Sequence, residues 1–270
     1  MRKLLLALLV AASLVPCASN AAIGVLGTPA NQNDNTSYTA VAGSNRVVVT
    51  TAWSRRTGAT SLNNVVWNSI TRSPETTGND AAGNDRSGTG IAIFKESEIG
   101  GASNMNLVWV TDSPASAGQM PITVGDVDQT TTVRSSASAN DVTTGNPTTA
   151  VITISATAGD QILCVYVNRN GATYTVNNGF TSLGTGTNGD GGRYLYLSKI
   201  AAGSNDNCSV TQNVSDAWQG SAVVLVPFSG GGGGTIINPL AGGGGAAARP
   251  VTFNWMPAAN DDEFLLRANQ

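Results

Sequence analysis

The chain has no histidine. That absence removes the base of Ser-His-Asp and Cys-His nucleophile systems and every imidazole-ligated metal site. Cysteine is scarce too: Cys17, Cys164 and Cys208 are the whole supply, too few for a four-thiolate zinc site. Lysine is limited to Lys3, Lys95 and Lys199. Helical periodicity is almost missing, and beyond the first residues no apolar run is long enough to cross a bilayer.

What stands at the start is Met1-Arg2-Lys3, an apolar run from Leu4 to Val15, then Pro16-Cys17-Ala18-Ser19-Asn20-Ala21. A positive start, a short apolar core and small residues at −3 and −1 predict a secretory signal peptide over residues 1–21, cut after Ala21. The run of about a dozen residues is too short to span ~30 Å of hydrocarbon as a helix. A retained anchor or a lipid on Cys17 is the alternative, but Pro16 stands where lipidation signals want a small residue. The mature chain is therefore expected to be secreted, without membrane insertion. Losing Arg2 and Lys3 leaves twelve basic against seventeen acidic residues, a net charge of −5. Such a chain lacks the basic footprint of a nucleic-acid binder, and anionic lipid repels it. In an oxidising compartment Cys164 and Cys208 predict a disulfide, with two buried thiols as the alternative.

Short runs rich in Val, Ile, Thr and aromatics recur, each bounded by Gly, Asn, Asp or Ser, which is the signature of strands and turns. Predicted strands are Arg46–Trp53, Val65–Ile70, Gly90–Lys95, Asn106–Thr111, Ile122–Val127 and Ala150–Ala156. Gln161–Val167, Tyr174–Asn177, Arg193–Lys199, Asn207–Gln212 and Ser221–Phe228 follow. This spacing predicts an all-β protein, an antiparallel β-sandwich of jelly-roll-like type.

The chain also echoes itself. Arg55–Thr71 (RRTGATSLNNVVWNSIT) resembles Asn168–Leu183 (NRNGATYTVNNGFTSL), and Ile93–Leu107 resembles Leu195–Val210. The sandwich domain, residues 22–228, is thus read as two sequence-similar halves, about 36–127 and 149–228. One larger sandwich whose halves close over a shared core is the expectation; two sandwiches in tandem is the alternative. Residues 229–248 are expected to form a flexible Gly-rich linker. The C-terminal segment 249–270 contains Val251, Phe253 and Trp255 alternating with polar residues, a pattern suited to a docking or strand-donating peptide; a frayed tail is the bland reading.

Candidate chemistry is thin. Glu75, Asp80, Asp85, Glu96 and Glu98 fall in loop-like settings that do not raise a carboxyl pKa, so a carboxylate-based hydrolase is a remote alternative and no catalytic residue is assigned. Gly78–Gly88 and Thr187–Arg193 gather Asp and Asn in turns, which is ordinary turn chemistry or a calcium site; no other cofactor is expected. Trp53, Trp67, Trp109 and Trp218 are read as core residues, with sugar-binding platforms as the alternative.

From Asn45 to about Phe228 the chain resembles a poorly characterised β-sandwich family found in large secreted bacterial proteins and some phage structural proteins. The likeness rests on Gly43–Arg56, Val65–Thr71, Val127–Val133 (VDQTTTV) and Gly220–Phe228; Thr132 stands where the family usually has proline. The resemblance implies a jelly-roll-like sandwich with a surface or adhesive role and no catalytic residues to carry over. The expected function is that of a secreted structural or adhesive protein whose partner is a copy of itself or a cell-surface glycan. A carbohydrate-binding module is the alternative.

Overall fold

A computed structural model describes residues 23–56, 61–79, 86–110, 116–141, 148–187, 191–204 and 206–229. The cleavage expected at Ala21 and the segment holding Val251, Phe253 and Trp255 lie outside the described residues. In chain order come β1 (Gly24–Leu26), β2 (Gln32–Asn33), β3 (Thr36–Tyr38), β4 (Val47–Arg56) and β5 (Leu62–Trp67). Then follow β6 (Ile70–Arg72), β7 (Thr76–Asn79), β8 (Arg86–Lys95), β9 (Ser103–Trp109) and β10 (Ser116–Gly125). The later strands are β11 (Val133–Asp141), β12 (Thr149–Ile152), β13 (Gln161–Asn168) and β14 (Tyr174–Val176). Last come β15 (Thr181–Thr187), β16 (Arg193–Ile200), β17 (Cys208–Gln212) and β18 (Trp218–Leu225). Every pairing is antiparallel. The protein is all-β.

One sheet runs β1-β10-β4-β8-β7, with β2 also on β10, and a second runs β11-β18-β13-β16-β15. Two smaller sheets run β3-β9-β5-β6 and β12-β17-β14. The orders are the same when β1, β3, β4, β5, β7, β8, β9 and β10 are matched with β11 to β18 in sequence. β2 and β6 have no counterpart.

Three apolar cores hold the sheets in four layers. One lies between the two large sheets and includes Val49, Ile93, Ile122, Leu163, Val165 and Val223. A second joins the β13 sheet to the β12 sheet through Cys164, Tyr166, Leu197, Ile152 and Val210. The third joins the β4 sheet to the β9 sheet through Val48, Phe94, Leu62, Trp67 and Leu107. Each half has a core of its own, and a further core joins the halves.

This layering explains the strand sequences. In β13 and β18 every residue is buried, because their sheet is covered on both faces, and their apolar residues run on without alternation. The outer strands β9 and β12 alternate instead, with buried Met105, Leu107 and Ala150 between exposed Asn106 and Val151. The predicted strand Val65–Ile70 is a hairpin: β5 ends at Trp67, which pairs with Ile70 across Asn68 and Ser69. Both turn residues have positive φ, 51° and 64°, as a two-residue turn that matches strand twist requires.

The stretch read from the sequence as the connection between halves carries β11 and, before it, a fixed junction. Asp126 and Val127 donate their N–H groups to Ser44 and Asn45 carbonyls, and Asp128 donates to Val226. The Asp128 carboxylate accepts from the N–H groups of Thr130 and Thr131. Gln129 donates to the Arg46 and Val127 carbonyls and accepts from the Glu96 N–H at 3.0 Å. The Val127–Val133 segment is therefore a clasp between the halves.

Candidate functional site

Strand register gives the molecule two unlike poles. At the first, which we call the base, Gly24 pairs with Gly125, and the next residue, Asp126, accepts a hydrogen bond from the Phe228 N–H at 2.7 Å. The folded unit thus begins and ends within one residue's step along the same strand end. At the opposite pole β4 ends with Arg55 facing Ser116, and β13 ends with Asn168 facing Trp218. Trp53 of the first half stacks on Tyr194 of the second at 4.7 Å between ring centres, so these two strand ends share one pole. Gly118 makes room for that stack, since any Cβ there would lie within 3 Å of the Trp53 indole. Segments 57–60, 80–85, 111–115, 142–147 and 188–190 all join strand ends at this far pole and lie outside the described residues.

The contact between halves changes character from one pole to the other. Toward the base it is aliphatic, with Val47, Val124 and Leu225. Toward the far pole it is polar and still buried: Thr89 and Ser221 share a hydrogen bond at 2.8 Å, and the Gln219 amide donates to Thr89. Arg55, at 6 % exposure, lies beyond them on β4 beside fully buried Ser87. In the second half the turn after β13 is pinned by side chains. The Asn168 carboxamide accepts from the N–H groups of Gly171 and Arg193, and Asp216 accepts from both nitrogens of Asn170.

Cys164 and Cys208 form the expected disulfide, which ties β13 to β17 across the second-half core. The carboxylates singled out from the sequence are not brought together as an acid–base pair among the described residues. Glu96 pairs with Arg46, and Glu98 with Arg72; Asp80 and Asp85 lie outside the described residues. The Arg46 guanidinium holds the Glu96 carboxyl below its ordinary range, and Lys199 does the same for Asp206. Burial raises the phenols of Tyr166, Tyr174 and Tyr196. None of these shifts tunes a group toward neutral pH, which acid–base catalysis favours.

Trp53, Trp67, Trp109 and Trp218 are all buried, at 9 % exposure or less, so none of the four offers a ring face to a sugar. Among the described residues no three Cys, Asp or Glu side chains converge as metal ligands. The calcium expectation rests mainly on segments 80–85 and 188–190, outside the described residues. Also among the described residues, no helix is long and apolar enough to cross a membrane. The sequence signal missed β11 as an element: its run Ser135-Ser136-Ala137-Ser138-Ala139 has none of the branched or aromatic residues that mark strands. No protein-family model, curated protein or solved structure matches the chain.

Proposed function

We propose that this chain is a secreted structural or adhesive protein that assembles with copies of itself through its C-terminal segment. One observation carries the reading: Gly24 and Phe228, near the two ends of the sandwich, meet the same strand end at the base. A module whose two ends meet at one pole suits a repeated, tethered unit on a surface. The disulfide is compatible with an oxidising compartment. The likeness of the VDQTTTV segment and its flanking strands to a family of secreted bacterial and phage structural proteins supports the same role. The side chains described above engage one another, and none is poised for chemistry, which favours a non-catalytic part.

The test is deletion of residues 249–270 followed by light scattering. The full mature chain is expected to form species larger than one protomer, and the deleted chain to remain a monomer. Equal size distributions overturn the reading.

A further inference from the structure

An exposed sheet edge is a template for another chain, and natural proteins cover such edges. The two halves cover theirs in different ways. In the second half β18 is paired along its length by the nine residues of β11, and the disulfide ties β13 of the inner sheet to β17 of the outer one. In the first half the matching work falls to residues 23–41. β1 pairs with Thr123–Gly125 of β10, β2 with Gly118 and Gln119 of the same strand, and β3 with Ser103–Met105 of β9.

This covering is slight. The three strands have three, two and three residues, and each has a single neighbour among the described strands. Of residues 23–41 only Ile23 is buried. Gly27 and Asn35, which join the strands, have positive φ, 71° and 59°, and Ala42, Gly43 and Ser44 are exposed. Beyond that point the hold is firm. The Ser44 and Asn45 carbonyls accept from the Asp126 and Val127 N–H groups, and β4 is paired on both sides, with β10 and with β8. Short edge strands that bury little apolar surface open more readily than strands paired on both sides.

We propose that residues 23–41 form a strap that opens and closes as one piece over the β10 and β9 edges, hinged at Ala42-Gly43, while β4 to β18 stay folded. One residue pair makes it a single piece. Thr123, fully buried on β10, shares a hydrogen bond with the Tyr38 hydroxyl at 2.7 Å and accepts from the Val41 N–H at 3.0 Å. The part of the strap that lies on the outer sheet is thus latched to the inner-sheet strand that holds β1. Leu26, the partner of Thr123 across the ladder, lies against Gly43 and Gly125, where a Cβ would come within 3 Å of its side chain. Latch and plug therefore sit on one rung, and losing either removes support from the other.

Two further bonds close with the strap. The Asp34 carboxylate accepts from the Leu107 N–H at 2.7 Å, and the Asn31 carboxamide oxygen accepts from the Tyr196 hydroxyl at 3.1 Å. When it opens, the outer edge of β10 from Gly118 to Gly125 is bared. The device gives the first half an edge that can be shown or hidden, which the second half, with its long β11, does not have.

Amide hydrogen exchange on the full mature chain, read peptide by peptide, is the test. Peptides over residues 23–41 are expected to exchange as a group, at least about 100-fold faster than those of β4. A cystine lock between β1 and β10, made by Val25→Cys with Val124→Cys, is expected to slow exchange in β3 by about tenfold or more, although β3 lies on another sheet. Thr123→Val is expected to speed exchange in β1 as well as β3, and Thr123→Ser, which keeps the hydroxyl, to restore it; these two variants decide the matter if the lock does not form. The strap is overturned when β3 ignores the lock, when Thr123→Val loosens β3 alone, or when residues 23–41 and β4 exchange at one rate.

Discussion

Cys164 and Cys208 are both fully buried, and their bridge spans 44 positions of the chain. A loop of that length stabilises by roughly 4 kcal/mol in the chain-entropy picture. Replacing both cysteines by serine is expected to lower unfolding free energy by about 3–4 kcal/mol, read from urea midpoints; a loss below ~1 kcal/mol would assign the stability to packing alone. The first half fills the matching place differently. There Thr50 of β4 donates to the Met105 sulfur of β9, joining the counterparts of the strands that carry the bridge. Thr50→Cys with Met105→Cys is therefore expected to form a second bridge between layers, detected as loss of two free thiols on oxidation. Glu96 answers to pH instead. Its carboxyl is held low by Arg46, so its contribution is present above the ordinary value of 4.5 and fades as pH falls through it. In Glu96→Gln the acid limb of the stability curve should be flatter below pH 4.5, with lower stability at pH 7.

At the scale of elements, the hairpin turn of β5 and β6 holds a serine at φ 64°, a conformation that costs an L-residue ~1–2 kcal/mol. Ser69→Gly removes that cost but returns ~0.5–1 kcal/mol of unfolded-chain entropy, so a net gain of about 0.5 kcal/mol is expected in urea melts. The equivalent turn of the second half already has glycine, Asn178-Gly179, both at positive φ. How well each strand can be read from sequence depends on where it lies. β4 and β13 are plain because both faces are buried and their runs of Val, Ile and Leu are continuous. β9 and β12 show through alternation. The strands that escape notice, β1, β2, β3, β7, β11 and β15, are all edges. An edge gains less from burial, tolerates small polar residues, and thus leaves no hydrophobic period to detect. The disulfide is legible because Cys164 and Cys208 are the two cysteines left beyond the expected leader, whereas the two poles depend on register that no local pattern encodes.

For the molecule as a whole, the middle core decides whether the halves are separable. From the second half it takes Leu163, Val165, Val167, Tyr194, Tyr196, Val223 and Leu225, all buried against the first half. Exposing even a handful of such side chains costs ~1.5–3 kcal/mol each, a total on the order of 10 kcal/mol, as large as the net stability of a typical domain. Residues 127–228 made alone keep their own core and disulfide but present this apolar face to water. The fragment is therefore expected to associate or precipitate rather than run as a monomer. Mixed with residues 23–126, it should form a one-to-one complex that restores the near-ultraviolet signal of the stacked Trp53–Tyr194 pair. The polar end of the same interface adds a stricter condition. Thr89, Gln219 and Ser221 are buried with their hydrogen bonds shared across the halves, so parting the halves leaves each to find water. Ser221→Val, which removes one of the two polar partners of the Thr89 hydroxyl and leaves it only the Gln219 amide, is expected to weaken the complex of the two fragments, with a smaller effect on the intact chain, where the peptide bond between residues 126 and 127 keeps the halves together. A monomeric 127–228 fragment with a cooperative melt would mean that the halves fold as independent sandwiches and that their contact is only an adjunct.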